Sequence, residues 1–376
     1  MKVVQSRWKS DEWHLGAKLE GVDGEHTLAL VFGDLGDNPH AIQGLRQLLP
    51  TAHIIGATTA GEIEGVDALE NELVVTVIEF EKTQIKTISV AVEPSSDFRQ
   101  IGRELISQLE DSRLKAVFIL SEGIVINGSE LVRGCHEVLK SDVLLTGGLA
   151  GDDIRFSTTK TAHNEVIASQ QVVALGLYSD VLEVGVGSCG GWSAFGPVRR
   201  ISDSENNELI SLDGEPALSV YKNYLGALSE GLPFSGLRYP MQLFSPEKAS
   251  SVVRTLVGLD EEKGSIYYAG EMPKGASVQL MKATVDSLVE GAESAAKQAM
   301  QHHSDDVDVA LLISCVGRKH VLKQLVEDEL EAVQDVLGEE TMLTGFYSYG
   351  EIAPHAKGEH AQLHNQTMTI TTLKES

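Results

Sequence analysis

The sequence predicts an α/β fold of mixed sheets, built from a β-α-β-turn-β unit used three times and arranged as two pseudo-related halves. Three observations predict it. Residues 56–63 (GATTAGEI) and 345–352 (GFYSYGEI) share Gly, a hydroxyl residue, Gly, Glu and Ile at identical spacing, and internal similarity of this kind marks a repeated structural unit. Around each lies the same order of elements, and a looser copy stands between them at 146–152 (TGGLAGD), one residue shorter in its turn and carrying Asp for Glu. The chain is also long and ordinary in composition. Its 376 residues, 42% apolar and 23% charged, suit two domains that fold throughout.

The first unit opens with a buried-type strand at 28–32, followed by a helix whose Ile42, Leu45, Leu48 and Leu49 form one apolar stripe. The glycine turn follows, then an alternating strand over 73–80. The middle unit repeats this with a strand at 116–120, a helix bearing Leu131, Val132, Cys135, Val138 and Leu139, the 146–152 turn and a strand at 172–177. Residues 181–231 stand outside the repeat and read as a join, with a strand at 182–187, Trp192, a hairpin signal at Asp213-Gly214 and a helix over 216–225. Residues 252–280 read as strands. A long helix follows, with Val285, Leu288, Val289, Ala292, Ala296 and Ala299 on its apolar side. The last unit has a strand at 309–313, a helix carrying Val321, Leu322, Leu325, Val326 and Leu330, the 345–352 turn and a strand over 367–373. The domain change-over is placed near residue 205, giving domains 1–205 and 206–376.

Thirty Lys and Arg stand against 55 Asp and Glu, a formal charge of −25 that repels phosphate backbones and anionic lipid. Nucleic-acid and membrane partners are therefore not expected. Cys135, Cys189 and Cys315 are odd in number and far apart, without a CxxC pair, as in a reducing cytoplasm. The N-terminus lacks the apolar core of a signal peptide and no run of eighteen apolar residues occurs, so a cytoplasmic protein is expected.

Glycines at this spacing allow positive φ and leave amide N–H groups uncovered for a ligand. The strand-end loops Gly33-Asp34, Ser121-Glu122-Gly123 and Ser314-Cys315 are expected at one end of the fold, where α/β proteins bind ligands. The candidate binding residues are Thr58, Gly61, Glu62, Gly148, Gly151, Asp152, Cys315, Arg318, Phe346, Tyr347, Tyr349 and Glu351. Phe346, Tyr347 and Tyr349 are expected to give apolar contact, and Arg318 a cation for a carboxylate. The alternative is that the turns are structural corners whose acids cap their own amides.

Taken together, GATTAGEI at 56–63, TGGLAGDD at 146–153, EPALSVYKNYLG at 215–226, SCVGR at 314–318, GFYSYGEIAP at 345–354 and LHNQT at 363–367 resemble the FIST sensory domain with its N-terminal and C-terminal portions. The resemblance covers nearly the whole chain. It implies a ligand-binding input domain of signal transduction, with amino acids or similar metabolites as ligands and no catalytic residues. With no kinase, cyclase or methyl-accepting segment in this sequence, it implies action on a separate partner such as a histidine kinase of a two-component system. Stand-alone chains of this kind also resemble nitric-oxide-sensing haem proteins, for which non-covalent haem b held by histidine is implied. His364 is the first axial candidate and His320 the second, although there is no CxxCH signature.

An enzyme reading would rest on Cys315 as a thiol nucleophile with His320 or His364 as base, yet no nucleophile-elbow signature surrounds the cysteine. His302, His303, Asp305, Asp306 and Asp308 read as a hydrated loop rather than a metal site, and no phosphate-loop lysine follows Gly147-Gly148. The expectation is a binding protein, not an enzyme. Sheet edges left unpaired would suit a homodimer.

Overall fold

The computed structural model describes all residues except 15–18, 20, 21, 37, 245–250, 305, 356 and 357. It is a mixed α/β structure. Three stretches share one pairing pattern. Strand Thr27–Gly33 runs parallel to His53–Ala57 and antiparallel to Leu73–Glu79. Strand Leu114–Ser121 stands likewise between Leu144–Leu149 and Gln171–Tyr178. Strand Val309–Cys315 does the same between Met342–Ser348 and Met368–Glu375. Each parallel pair requires a crossover, supplied by helices Pro39–Leu48, Gly128–Val138 and, in the last case, Val316–Leu322 with Val326–Leu337. A strand from earlier in the chain extends each sheet: Lys2–Lys9, Gln84–Ala91 and Leu182–Cys189.

The glycine turns send the chain out of its own sheet. After the first turn, hairpin Glu62–Glu64 with Asp67–Leu69 pairs with Met342–Ser348 of the third sheet. Hairpin Thr161–His163 with Val166–Ala168 adds to His53–Ala57 of the first sheet. Hairpin Gly350–Pro354 with Ala361–His364 adds to Leu144–Leu149 of the second. The exchange is cyclic, so each sheet is completed by another stretch's hairpin. Its consequence is a shared interior: Leu30, Phe32, Phe118, Leu120, Leu175, Leu311, Ile313, Phe346 and Leu373 form one core drawn from all three sheets. Helices close the outer faces, with Leu105, Leu131, Cys135, Ala292, Ala296, Leu330 and Val333 in a second core.

Local chemistry accounts for the helix starts. Asn127 accepts from the amides of Ser129 and Glu130, Asp97 accepts from that of Gln100, and Thr284 with Ser287 forms a capping box. The single helix expected through residues 321–330 is interrupted. Helix Val316–Leu322 ends at Lys323 with φ of 56°, and Val326–Leu337 starts afresh. Helix Phe98–Leu109 was not anticipated. Residues 193–282 make a further, eight-stranded sheet with helix Ala217–Leu225 and its own core around Ile201, Leu209, Tyr221, Met241, Ile266 and Tyr268. Residue 205 falls within that sheet, at the end of strand Ser193–Glu205, which pairs with Glu208–Leu212 across the adjoining turn.

Candidate ligand-binding cleft

The cyclic exchange draws the three turns together. The Ala60 amide donates to the Tyr347 carbonyl at 2.8 Å and the Tyr347 amide to that of Gly61 at 2.8 Å. The Gly151 amide donates to the Thr58 carbonyl at 2.9 Å, and the Thr58 hydroxyl accepts from the Lys160 amide at 2.9 Å. Where they meet lies a cleft of about 230 Å³. The strand end Gly33-Asp34 and turn residues Thr58, Thr59, Gly61 and Glu62 form one side, Asp152, Asp153, Arg155 and Lys160 another, and Lys319 of helix Val316–Leu322 the third. Gly61 has φ of 136°, and a Cβ there would lie 3.1 Å from Lys319 Nζ and 3.2 Å from the Tyr347 ring. The turn needs glycine for its conformation and for the close approach of its neighbours.

Each turn holds an acid in a different electrostatic state. Glu62 accepts from the Thr59 hydroxyl at 2.5 Å and the Glu72 amide at 3.2 Å, and burial pushes its pKa up to about 7. Glu351 is fully buried, accepts from the Ser348 hydroxyl at 2.8 Å and the Thr367 amide and hydroxyl at 3.2 and 2.9 Å, and burial pushes it to about 8. For Asp152, burial acts upward but is outweighed by donors. The Tyr349 hydroxyl, the Thr158 and Ser157 amides and the Ser157 hydroxyl together hold its carboxyl below the usual range.

Adjacent cations divide in the same way. Arg318 is wholly buried and does not reach the cleft. Its Nε and one Nη pair with Glu329 at 3.1 and 2.7 Å, and the Nη atoms donate to the Gly190 and Leu288 carbonyls at 2.6 and 2.8 Å. The cation that reaches the cleft is Lys319, next in sequence. Its Nζ donates to the Ala60 carbonyl at 2.7 Å and pairs with Glu70 at 2.9 Å, with Asp153 at 3.8 Å. One step along a helix turns a side chain by roughly 100°, enough to exchange interior for cleft.

Of the residues expected from sequence, Thr58, Gly61, Glu62 and Asp152 line the cleft. Gly151 supports it by packing on Ala60. The aromatic lining is corrected, because strand Met342–Ser348 is covered on both faces. Phe346 points into the three-sheet core, its ring 4.7 Å from that of Phe32, while Tyr347 turns outward and donates to Glu329 at 3.1 Å. Tyr349 stacks on Phe156 at 4.5 Å behind Asp152. Gly148 sits against Ile313 and Phe346 inside the core, and Glu351 is sealed by its own hydroxyl donors. Cys315 is buried, and burial drives its thiol far above the ordinary range, away from nucleophilic thiolate.

The histidines are placed as follows. His364 is buried with Nε2 2.9 Å from the Ala353 carbonyl, and it lines neither the charged cleft nor the cleft beside helix Gly128–Val138. His320 stands near the charged cleft with Nε2 3.3 Å from Asp153, and burial lowers its pKa. A haem does not fit these residues: His364 lines none of the clefts among the described residues, and His320 stands beside a charged, not apolar, opening too small for a porphyrin. In the polar loop, His303 bonds Thr372 at 2.8 Å and Asp308 accepts from the Glu375 amide at 3.3 Å. Asp305 lies outside the described residues, among which no group of three His, Cys, Asp or Glu side chains is arranged to hold a metal. No helix among the described residues is long and apolar enough to cross a membrane.

Fold and cleft together define an α/β protein with a small charged cavity where three sheets exchange hairpins. The family model for the FIST N domain matches residues 27–215 and that for the FIST C domain residues 217–354. The chain belongs to the FIST family, whose domains are small-ligand sensory domains of signal transduction. No curated protein matches the sequence. Among solved structures, a crystal structure of cyanuric acid hydrolase from A. caulinodans is similar over 78% of this chain and 99% of that chain, at 10% identity and a TM-score of 0.18. That likeness is too slight to transfer fold or chemistry.

Proposed function

We propose that the charged cleft binds a small zwitterionic metabolite of amino-acid size, and that occupancy regulates a separate signalling protein such as a histidine kinase. The observation that carries this reading is the convergence of the turns at 56–63 and 146–152 with helix Val316–Leu322 on one cavity furnished with both signs of charge. Asp34 and Asp153 suit a ligand ammonium; Lys160, Arg155 and Lys319 suit a carboxylate. Lys319 links that cavity to helix Val316–Leu322 through its bond to the Ala60 carbonyl. A ligand carboxylate competing for Lys319 would change the contact between turn and helix, giving a route from occupancy to surface. Three unbridged cysteines are compatible with a cytoplasmic setting.

The test is a thermal-shift screen of the full chain with the common amino acids, repeated with Lys319→Met and Lys160→Ala. A ligand at one hundred times its Kd stabilises by about 2.7 kcal/mol, and both variants should lose that gain. Stabilisation by none of the amino acids, or equal stabilisation of wild type and both variants, would remove this cleft as the amino-acid site.

A further inference from the structure

A second cleft, of about 490 Å³, lies away from the charged one, between helix Gly128–Val138, strand Val252–Arg254 and the hairpin strand Ala361–His364. Much of its wall is apolar, from Val132, Ala361 and Leu363, and at one side the rings of His136 and His360 meet edge to face at 4.5 Å. Its distinguishing member is Arg254. This side chain is 3% exposed, and it donates through one Nη to the carbonyls of Leu363 at 2.9 Å and Val253 at 3.3 Å. Its Nε has no hydrogen-bond partner, nor does the buried Ser129 Oγ lining the same cleft. Among the described residues no carboxylate comes within ion-pairing distance of Arg254.

The contrast with other arginines is physical. Arg318, equally buried, has Glu329 at 2.7 Å. Arg133, on the rim of this cleft, is held by both Glu130 and Glu271. Arg99 and Arg103 share Glu137. A buried cation without a counter-charge is strongly unfavourable, and buried polar atoms in native structures ordinarily have partners. Burial does lower the Arg254 pKa, only to about 10, so the group stays charged at neutral pH.

We propose that this cleft is a binding site for an organic monocarboxylate with an apolar body, its carboxylate seated on Arg254 and Ser129. Arg254 has no direct ion pair among the described residues, Glu271 and Glu351 acting on it only from beyond contact, and because Glu137 and Glu359 also line the cleft, a monoanion suits it better than a phosphate dianion. Val132, Ala361 and Leu363 would cover the apolar body, and the imidazole pair would close its end.

The test is isothermal titration calorimetry of the full chain with hexanoate and with phenylacetate, each compared with its neutral amide. Saturable binding of at least one acid near one per chain is expected, with its amide at least tenfold weaker. Arg254→Met should weaken the acid at least tenfold. Because that variant removes a buried group and could fail to fold, Ser129→Trp fills the cleft from the first turn of the helix; it should abolish binding while the melting temperature shows a folded protein. Binding of neither acid, an amide binding as tightly as its acid, or unchanged affinity in folded Ser129→Trp would each overturn the proposal.

Discussion

The turns at 56–63 and 345–352 are near copies in sequence, and both place a hydroxyl three residues before a glutamate that accepts a hydrogen bond from it: Thr59 to Glu62 and Ser348 to Glu351. Their surroundings diverge. Glu62 borders the charged cleft, whereas Glu351 is sealed between the strand that follows it and Thr367. The same local design thus serves one site as a wall and another as a fastening. What differs is which sheet edge the following hairpin joins and what packs above it. Arg318 and Lys319 repeat the lesson in two consecutive residues, one committed to the interior and one to the cleft.

The largest expected effect breaks the interior side of this comparison. Arg318→Leu leaves Glu329 buried without its partner and should cost about 3–5 kcal/mol, read as a lower urea midpoint; Arg318→Leu combined with Glu329→Leu should recover part of the loss. A melt of the single variant within about 0.5 kcal/mol of wild type would show that the pair is not a fastening.

The second prediction separates the two glutamates by pH. Both have folded pKa values above the ordinary 4.5, about 7 for Glu62 and about 8 for Glu351. The folded state therefore retains protons that the unfolded chain releases, so this contribution is fully present below about pH 4.5 and declines as pH rises, its loss complete only above about 8. The summed decline should be at most on the order of 8 kcal/mol, the larger part from Glu351. Glu62→Gln should reduce the slope only up to about pH 7, whereas Glu351→Gln should reduce it across the whole window and remove what remains between about 7 and 8; identical profiles for wild type and both variants would contradict the burial argument.

Smaller effects sharpen the cleft side. Gly61→Ala must adopt φ of 136° and crowd Lys319 and Tyr347, so a loss of about 1–3 kcal/mol is expected, together with weaker ligand response in the thermal-shift assay. Thr59→Val removes one donor to Glu62 and should cost about 1 kcal/mol. Ser348→Ala, which strips a donor from a fully buried acid, should cost more than Thr59→Val in parallel denaturant titrations; the reverse order would mean that Glu62 is the more enclosed of the two.

Much of the strand and helix content was legible because hydrophobic period is local: the runs at 28–32, 116–120 and 309–313 became strands Thr27–Gly33, Leu114–Ser121 and Val309–Cys315. Helix Phe98–Leu109 has its own local signs, Asp97 as a cap and Phe98, Ile101, Leu105, Ile106 and Leu109 as its apolar stripe, but it lies outside the repeated pattern. The lining of the candidate cleft was half legible. Thr58, Gly61, Glu62 and Asp152 belong to the turns and line the cleft; Lys160 and Lys319 line it too but have no signature in the sequence, because a lysine in a loop or on a short helix carries no local sign of what it faces.

What the sequence by itself determined is the class of each element, the turns that need glycine and the family to which the chain belongs, since these follow from side-chain period, backbone freedom and motif order. Only the tertiary structure decided which hairpin completes which sheet, that Phe346 enters a core instead of a pocket, and that Lys319 rather than Arg318 reaches the cleft. Pairing between strands distant in the chain depends on edges and registers available after the sheets assemble, and a side chain's exposure depends on what is packed above it.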